Sequence, residues 1–269
     1  MFHITGYTVT SNPGAITGTG TASPITVTGL TNGTLYTFTV VATNANGNSL
    51  PSAASNSVRP HTATTIYDIE GNLYNIVTIG SQVWTVENLK TATFANGDPI
   101  PTTADLTTDI SGMTAPIYQW PDHDPAMNDI SATYGRLYTW YAASDSRNVC
   151  PAGWHVPTSD QLEALKTYLG GAALAGGLLK EAGTTHWATP NTGATNSTGF
   201  TMLPGGDRLA TGGLGAFVST FYFGYLWSSD IDSYNTSLSF GQTFNNNDAT
   251  MVLNGFEPRA GVSIRCLKN

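Results

Sequence analysis

Residues 1–62 contain three short runs in which apolar and polar side chains alternate. The runs are Tyr7–Thr10, Ile25–Thr28 and Tyr36–Val40, and threonine fills the positions between the aromatic and aliphatic residues. A repeat of two residues is that of an extended strand with one buried face. Turn-forming residues separate the runs at Asn12-Pro13-Gly14 and Thr31-Asn32-Gly33. The pattern predicts half-buried antiparallel strands.

After residue 62 the pattern predicts short strands and one clear helix. Tyr67–Gly80 is typical of a hairpin, and Val83–Val86 continues the sheet. Thr158–Gln161 is a capping box that begins a leucine-lined helix. A second short helix is predicted from Leu174 to Ala182, although Gly176-Gly177 disfavours it.

The tail between about Tyr225 and Phe256 is rich in Asn, Ser and aromatic residues. Between Ser237 and Phe244 small polar residues alternate with Leu and Phe, which predicts a strand with one core face and one accessible face. A turn at Asn245–Asp248 and a return strand follow. The accessible residues are those that antibody combining sites favour, because Tyr gives contact area at low entropic cost while Ser, Gly and Asn adapt their hydrogen bonds.

We therefore predict that the tail is a ligand-binding surface. Its predicted binding residues are Tyr225, Asp230, Asp232, Tyr234, Asn235, Ser237, Ser239, Gly241, Thr243, Asn245, Asn246, Asn247, Thr250, Val252, Asn254 and Phe256.

Charged residues make up only 10% of the 269 residues, and the formal charge is -8. A chain of this kind without a basic patch is not expected to bind nucleic acid, which requires clustered Lys and Arg. No run approaches the length of about 20 apolar residues that a membrane span needs, so membrane insertion is not expected. The start lacks a basic end followed by an apolar run, so either a leader has been removed or export uses another route.

Charge also indicates a domain boundary. Arg59 is the only Asp, Glu, Lys or Arg in residues 1–62, so the remainder carries nine basic and 18 acidic side chains, a formal charge of -9. The predicted domains are 1–62 and 63–269. The cysteines, Cys150 and Cys266, match no zinc spacing, which leaves one long-range disulfide or two buried thiols.

The run Ile25–Gly47 resembles the later strands of a fibronectin type III domain, with Tyr36 as its tyrosine-corner residue. The resemblance covers about 60 residues, whereas such a sandwich has nearer 100. It implies a partial, all-β immunoglobulin-like or fibronectin-like domain that acts as a spacer or presenter.

Eight ordered sequence blocks after residue 67 resemble the Fibrobacter succinogenes major paralogous domain. They are Gly80–Lys90, Tyr134–Ala142, Cys150–Thr158, Leu178–Trp187, Asn191–Asn196, Gly199–Gly206, Leu226–Ser229 and Val262–Cys266. The resemblance implies an α+β, C-type-lectin-like fold of the formylglycine-generating-enzyme branch that displays a ligand-binding face near the C-terminus. It also favours the Cys150–Cys266 disulfide, since lectin-like domains commonly join the region beside the first helix to the last strand.

This fold, together with the tail composition, resembles the variable proteins of diversity-generating retroelements, which rewrite adenine-rich codons, chiefly those for Asn. The resemblance implies a non-catalytic protein that is extracellular, or lies on a cell or virion surface. Its expected partner is a protein or glycan receptor on another cell or particle, and an oligomer is one possible arrangement. A fixed adhesive or structural surface module without hypervariation is the alternative.

Catalysis is not expected. The enzymes of the formylglycine-generating branch hold copper with active-site cysteines, whereas the two thiols here have a structural explanation. The one candidate metal site is a calcium site at Asp122, Asp124 and Asp129, because a hard cation prefers carboxylate oxygen ligands. The alternative is that these residues form a solvated turn. No other cofactor is expected.

Overall fold

The computed structural model describes residues 3–60, 64–103, 108–120, 128–209, 217–232 and 235–269, and the chain divides into two compact units, Met1–Tyr67 and Asp68–Asn269. This division falls five residues after the boundary predicted from the charge distribution.

The first unit is organised around a four-stranded antiparallel sheet in the order β2-β1-β3-β4. Its strands are β1 (Ile4–Asn12), β2 (Thr17–Gly20), β3 (Thr37–Asn44) and β4 (Gly47–Asn48). Tyr7 pairs with Ala42, and Val9 pairs with Val40. Since paired residues project to the same side, the sheet has an apolar face and a face formed largely by threonine. The alternation predicted for Tyr7–Thr10 and Tyr36–Val40 is confirmed.

The prediction of a strand at Ile25–Thr28 is wrong, because this segment lies outside the sheet. It crosses the apolar face at β2, where a Cβ atom on Gly18 would lie 2.5 Å from the Thr26 carbonyl oxygen. The apolar residues of the run still point towards the sheet, which explains the alternation without strand pairing.

The predicted tyrosine corner at Tyr36 is confirmed. Tyr36 is 4% exposed, and its hydroxyl accepts a hydrogen bond of 3.1 Å from the backbone N–H of Thr31. The hydrogen bond fixes the turn before β3.

A ladder of serines, Ser49, Ser52 and Ser55, completes the outer edge of β3. Their N–H groups donate to the carbonyls of Ala42, Val40 and Phe38 at 2.8–2.9 Å, and their hydroxyls accept from the N–H groups of the same three residues at 3.0 Å. The serines recur at every third position of their segment, and each one bonds both the N–H and the C=O group of one β3 residue. The β3 residues bonded in this way are two positions apart. The segment replaces an ordinary edge strand.

Replacing Ser49, Ser52 and Ser55 with Ala is expected to expose three backbone N–H groups of β3 to exchange. Each lost bond contributes about 1 kcal/mol, so these amides should exchange about fivefold faster in a hydrogen-exchange measurement. Ser57→Ala, an exposed serine outside the ladder, is the control and should leave their protection unchanged. Unchanged exchange in the triple variant would contradict the role assigned to the ladder.

The described residues of the second unit form short strands, four short helices and a three-stranded sheet near the C-terminal end. The first unit ends with the short strand β5 (Thr65–Tyr67). The described strands of the second unit are β6 (Leu73–Ile79), β7 (Gln82–Thr85), β8 (Tyr118–Gln119), β9 (Leu137–Tyr138), β10 (Trp154–His155), β11 (Asp207–Arg208), β12 (Phe217–Val218), β13 (Phe223–Ile231), β14 (Ser239–Asn245), β15 (Val252–Phe256) and β16 (Leu267–Lys268). Its helices are α1 (Asn128–Tyr134), α2 (Trp140–Ala143), α3 (Ser159–Tyr168) and α4 (Ala172–Leu179).

The strands of the second unit form a sheet in the order β10-β16-β7-β6, the sheet β13-β14-β15, and the pairs β11-β12 and β8-β9. The core between them is built on large side chains, and Trp84, Trp187 and Trp227 are at most 1% exposed. The unit is therefore mostly β, with few helices.

Helix α3 begins where its capping box predicts. The Thr158 side chain accepts from the N–H of Gln161, and the Gln161 side chain accepts from the N–H of Thr158. Helix α4 also exists but begins two residues before the predicted start and ends at Leu179.

The two glycines of α4 are required by close contact with the tail and with Gly193. A Cβ atom on Gly176 would lie 1.9 Å from the Thr250 carbonyl oxygen, and one on Gly177 would lie 2.4 Å from the Gly193 carbonyl oxygen. The N–H of Gly177 donates to the carbonyl oxygen of Ala249 at 2.9 Å. The glycines that disfavour the helix therefore dock the loop that follows β14.

Cys150 and Cys266 form a disulfide, and both residues are at most 1% exposed. This confirms the pairing implied by the family resemblance and excludes two buried thiols. Beside it, the buried guanidinium of Arg265 donates to the Asn88 side chain and to the carbonyls of Phe200 and Thr201. Burial lowers the pKa of Arg265 to about 9, and the charge of Glu87 partly offsets this effect.

Candidate binding surface

The sheet β13-β14-β15 carries most of the predicted binding residues, and its register decides which of them share a face. Tyr225 pairs with Thr243, which pairs with Val252. Gly241 pairs with Trp227 and with Asn254, and Ser239 pairs with Phe256. Directly paired residues of an antiparallel sheet project to the same side.

We call the accessible residues of this side the outer face. They are Phe223, Tyr225, Thr243, Asn245, Val252, Asn254 and Phe256.

Aromatic rings contact one another along the outer face. The centroids of Phe223 and Tyr225 lie 5.7 Å apart with the rings nearly parallel, and Phe256 meets Tyr225 edge-on at 5.5 Å. Phe256 also contacts the buried Trp227, whose indole N–H donates to the Tyr138 carbonyl at 2.7 Å. The half-buried rings are thus held by the core, so contact through them requires little additional ordering.

Uncharged polar groups complete the outer face. The Asn254 side chain donates to the Thr243 hydroxyl at 2.7 Å, and Asn254 is exposed. Burial, assisted by the charge of Asp207, raises the pKa of Tyr225 to about 12, so its hydroxyl is neutral at physiological pH. Burial likewise raises the pKa of Asp207 to about 6. The surface offers apolar contact and hydrogen bonding without a formal charge on any of its seven residues.

Three predicted binding residues are buried, and the expectation that they are accessible is wrong. A Cβ atom on Gly241 would lie 2.9 Å from the ring of Phe256, so this ring covers the glycine. Ser239, opposite Phe256, is 0% exposed. Strand alternation gives the face of a residue, but a side chain from the neighbouring strand decides whether that residue is reached by solvent.

Asn246 is the third predicted binding residue that is buried. It is 2% exposed; its side chain donates to the carbonyls of Ala188 and Thr189, and its carbonyl accepts from the N–H of Thr192 at 2.7 Å. Asn246 therefore anchors the turn after β14. The predicted core face is correct for Phe244 at 0% exposed, whereas Leu238 and Phe240 are half-buried.

Other predicted residues lie at the two ends of this sheet. Asp232, Asn235 and Ser237 form the turn between β13 and β14, where the Asp232 side chain accepts from the N–H of Asn235 at 3.1 Å. Asn247 and Thr250 lie in the connection between β14 and β15. The seven residues of β14 span about 20 Å, so a small ligand cannot contact both ends.

Asp230 has a structural contact. Its carboxylate accepts a hydrogen bond from the N–H of Ser159 at the start of α3, where a negative charge is favourable. Tyr234 lies outside the described residues, as do Asp122, Asp124 and the side chain of Asp129, so the calcium prediction stays a prediction. Among the described residues no group of three His, Cys, Asp or Glu could hold a metal ion.

Lys180 holds the connection between β14 and β15, and the sequence analysis did not identify it. Its buried ammonium donates to the carbonyls of Asn245 and Asp248 at 2.7 Å and of Thr192 at 3.1 Å. Burial lowers its pKa to about 8, opposed by the charge of Asp248. Its only signal in the sequence is its place within a family block.

The stability of the second unit is expected to depend on Lys180 above pH 8. Because the pKa in the folded state lies below the unfolded value of 10.5, the native state binds fewer protons between these values, and stability rises with pH. From pH 8 to 9 the gain is about 1 kcal/mol. Urea unfolding of the native chain and of Lys180→Met checks this, since the variant should lack the gain. Equal pH dependence in both proteins would contradict the burial of this ammonium.

Two family models match the chain. The Fibrobacter succinogenes major domain matches residues 77–268, and the fibronectin type III domain matches residues 3–58. No curated protein and no solved structure matches the chain. The two domains are those of a surface or adhesive module, and the fibronectin type III domain and the disulfide are consistent with an extracellular protein. None of the described helices is long and apolar enough to cross a membrane.

Proposed function

Because the chain belongs to the Fibrobacter succinogenes major domain family, we propose that it is a non-catalytic surface protein that binds a receptor through the outer face. The receptor is a protein or glycan on another cell or particle. The fibronectin type III domain acts as the spacer that presents the second unit.

The observation that carries this proposal is the composition of the outer face. Tyr225 and Phe256 supply half-buried aromatic contact area, Val252 is 41% exposed, and Asn254 supplies an amide. Protein-binding surfaces are enriched in aromatic residues and depleted of charge at their centres. A preformed aromatic surface with adaptable polar neighbours also has the composition of antibody combining sites.

The disulfide supports a non-catalytic role. Copper chemistry of the formylglycine-generating type needs cysteine thiols, and both cysteines of this chain are joined to each other. We propose the C-type-lectin-like fold of that branch for the second unit. The proposal is supported by the disulfide between Cys150, which precedes α3, and Cys266, which immediately precedes the last strand, and by the sheet β13-β14-β15 near the C-terminus.

One substitution pair tests binding through the outer face. Val252→Lys places a charge on the outer face, and Leu73→Lys makes the corresponding change at an exposed strand residue, 45% exposed, outside the tail. A labelled chain is applied to a panel of bacterial cells and immobilised glycans. We expect Val252→Lys to weaken retention at least about tenfold, the effect of losing about 1.4 kcal/mol at a contact centre, and Leu73→Lys to bind as the native chain does. Equal retention of all three proteins would remove the outer face from the binding site.

We further propose that the tail is diversified by a retroelement, with a fixed adhesive module as the alternative. Asn235, Asn247 and Asn254 are exposed, so adenine-directed changes in their codons would alter the surface and spare the fold. The codon of Asn246 should stay constant because this residue anchors a turn.

Sequencing the gene and its flanking DNA from many cells of one population tests the diversification proposal. The expected result is variation at the three exposed Asn codons, constancy at Asn246, and a near-identical template repeat beside a reverse transcriptase gene. An invariant tail without that repeat would support the fixed module.

A further inference from the structure

One carboxyl group at the edge of the outer face is buried and incompletely hydrogen-bonded among the described residues. Asp207 is 7% exposed, and its Oδ1 atom has no hydrogen-bond partner in the described part of the chain. The four ion pairs among the described residues do not include Asp207. A buried carboxylate without a counter-charge is costly, so its presence in a native fold requires an explanation.

Backbone contacts hold Asp207 beside strand β13. The N–H of Gly206 donates to the carbonyl oxygen of Phe223 at 3.0 Å, and Asp207 pairs with Val218 in the pair β11-β12. A Cβ atom on Gly206 would lie 2.4 Å from the carbonyl oxygen of Val218, so glycine is needed for this close approach. The carboxyl group therefore lies next to the strand that carries Tyr225.

Two hydroxyl groups accompany the carboxyl group. Burial raises the pKa of Tyr225, and the nearby charge of Asp207 raises it further. Ser219 lies beside both groups, because its side chain partly offsets the effect of burial on the pKa of each. The Ser219 backbone has a φ of 70°, and its carbonyl accepts from the N–H groups of Tyr222 and Phe223, which fixes this turn. We call Asp207, Ser219 and Tyr225 the acidic corner.

The acidic corner offers three oxygen-bearing side chains beside the stacked rings of Phe223 and Tyr225. Its two hydroxyl residues are half-buried and therefore reached by solvent. An ammonium group has three N–H donors and one positive charge, which matches two hydroxyls and a carboxylate. Aromatic rings attract a cation and also pack against apolar CH2 groups. A lysine side chain has both parts, an apolar four-carbon stem and a charged head.

On the basis of the binding role proposed for the outer face, we infer that the acidic corner binds a lysine side chain of a protein receptor. The stem lies along the rings of Phe223 and Tyr225, and the ammonium group meets the three oxygen-bearing side chains. Arginine fits less well, because its planar guanidinium favours two open carboxylate oxygens and Oδ1 of Asp207 is enclosed. A neutral glycan would leave the carboxylate without a counter-charge. Residues 63–269 carry a formal charge of -9, which attracts a cationic partner.

Ionisation of Asp207 sets the charge of the acidic corner. From β13 the titratable group that faces it is Tyr225, which is neutral because its pKa is about 12, and β12 contributes no charged side chain. Arg208 follows on β11, but its guanidinium lies over the ring of Phe217 and interacts with Asp109. Burial raises the pKa of Asp207 to about 6, so the carboxylate forms as the pH rises through this value. Because a cation favours the ionised form, its affinity should rise about tenfold from pH 5 to pH 7.

NMR titration of the full chain with Nα-acetyl-lysine N-methylamide tests the inference without a known receptor. The native chain should bind this probe in about the millimolar range, with shifts of the Ser219 and Tyr225 amides, and should not bind the same compound acetylated at Nε. Asp207→Asn should weaken binding at least about tenfold and abolish its pH dependence. Tyr225→Phe keeps the ring and should weaken binding about fivefold through the loss of one hydrogen bond. Asp160→Asn removes the same charge at an exposed residue of α3 and should bind as the native chain does.

The amide spectrum of each variant reports whether it is folded, and Tyr225→Phe decides the question if Asp207→Asn does not fold. A native chain that does not bind the probe overturns the lysine site. Equal binding by Asp207→Asn or equal binding of the Nε-acetylated compound also overturns it.

Cells that retain the labelled chain separate the lysine site from the binding role of the outer face. Acetylation of lysine amines on the cell surface, or Asp207→Asn in the chain, should reduce retention at least about tenfold, whereas periodate oxidation of glycans should not. Loss of retention in Val252→Lys but not in Asp207→Asn would keep the outer face as the binding site and overturn the lysine site. Equal retention of both variants and the native chain would remove the outer face itself. Loss after periodate alone would assign a glycan receptor and overturn the inference.

Discussion

Removal of the Cys150–Cys266 disulfide is expected to lower the free energy of unfolding of the second unit by about 4.8 kcal/mol. The bond closes a loop of 116 residues, and the expected value is the chain entropy that such a closure removes from the unfolded state. Both cysteines are buried, so Cys150→Ala together with Cys266→Ala avoids placing a hydroxyl in the core.

Urea unfolding followed by tryptophan fluorescence measures this effect, because all six tryptophans lie after residue 68 and therefore report on the second unit. The native chain in reductant is the control: its stability should approach that of the double variant, which should not respond to reductant. A difference below about 1 kcal/mol, or two thiols that alkylate freely in the native non-reduced chain, would contradict the disulfide's assigned role.

Gly176→Ala is expected to destabilise the second unit by about 3 kcal/mol, although Ala is the better helix former by about 1 kcal/mol. The new Cβ atom would meet the carbonyl oxygen of Thr250 at 1.9 Å, and a backbone atom cannot move aside as a flexible side chain can. Helix propensity and packing predict changes of opposite sign in the free energy of unfolding, so the measurement separates the two effects.

Ala173→Gly in the same helix is the matched control, because Ala173 is exposed. It should cost about 1 kcal/mol, the ordinary propensity difference. In Gly176→Ala the amide of Met251, which donates to Ala172 at 2.9 Å, should also lose exchange protection. A stabilised Gly176→Ala variant with unchanged protection would show that the loop after β14 is not docked on α4 as described.

Local patterns were sufficient to predict several features of the fold. The Thr158–Gln161 capping box and the Tyr36 corner are confirmed because each depends on residues within five positions of one another. The disulfide was favoured by the family resemblance rather than by its spacing. The strand prediction for Ile25–Thr28 is wrong because alternation is equally consistent with an apolar segment that packs on a sheet without joining it.

The binding surface was predictable only in part. Alternation gives the face on which Thr243 lies, but the ring of Phe256, from the next strand, covers Gly241. Contacts such as that between Lys180 and Asp248 join residues 68 positions apart, and no local pattern signals them. Phe223 could have been found from its alternation with Tyr225 and Trp227 in one strand.

The most direct test of binding through the outer face is hydroxyl-radical footprinting of the chain, free and bound to the cells or glycans that retain it. Oxidation of Tyr225 and Phe256 should fall on binding, while Tyr168, 65% exposed on α3, should be oxidised equally in both states. Protection of Tyr168 with unchanged oxidation of Tyr225 and Phe256 would contradict the account and place the binding site elsewhere.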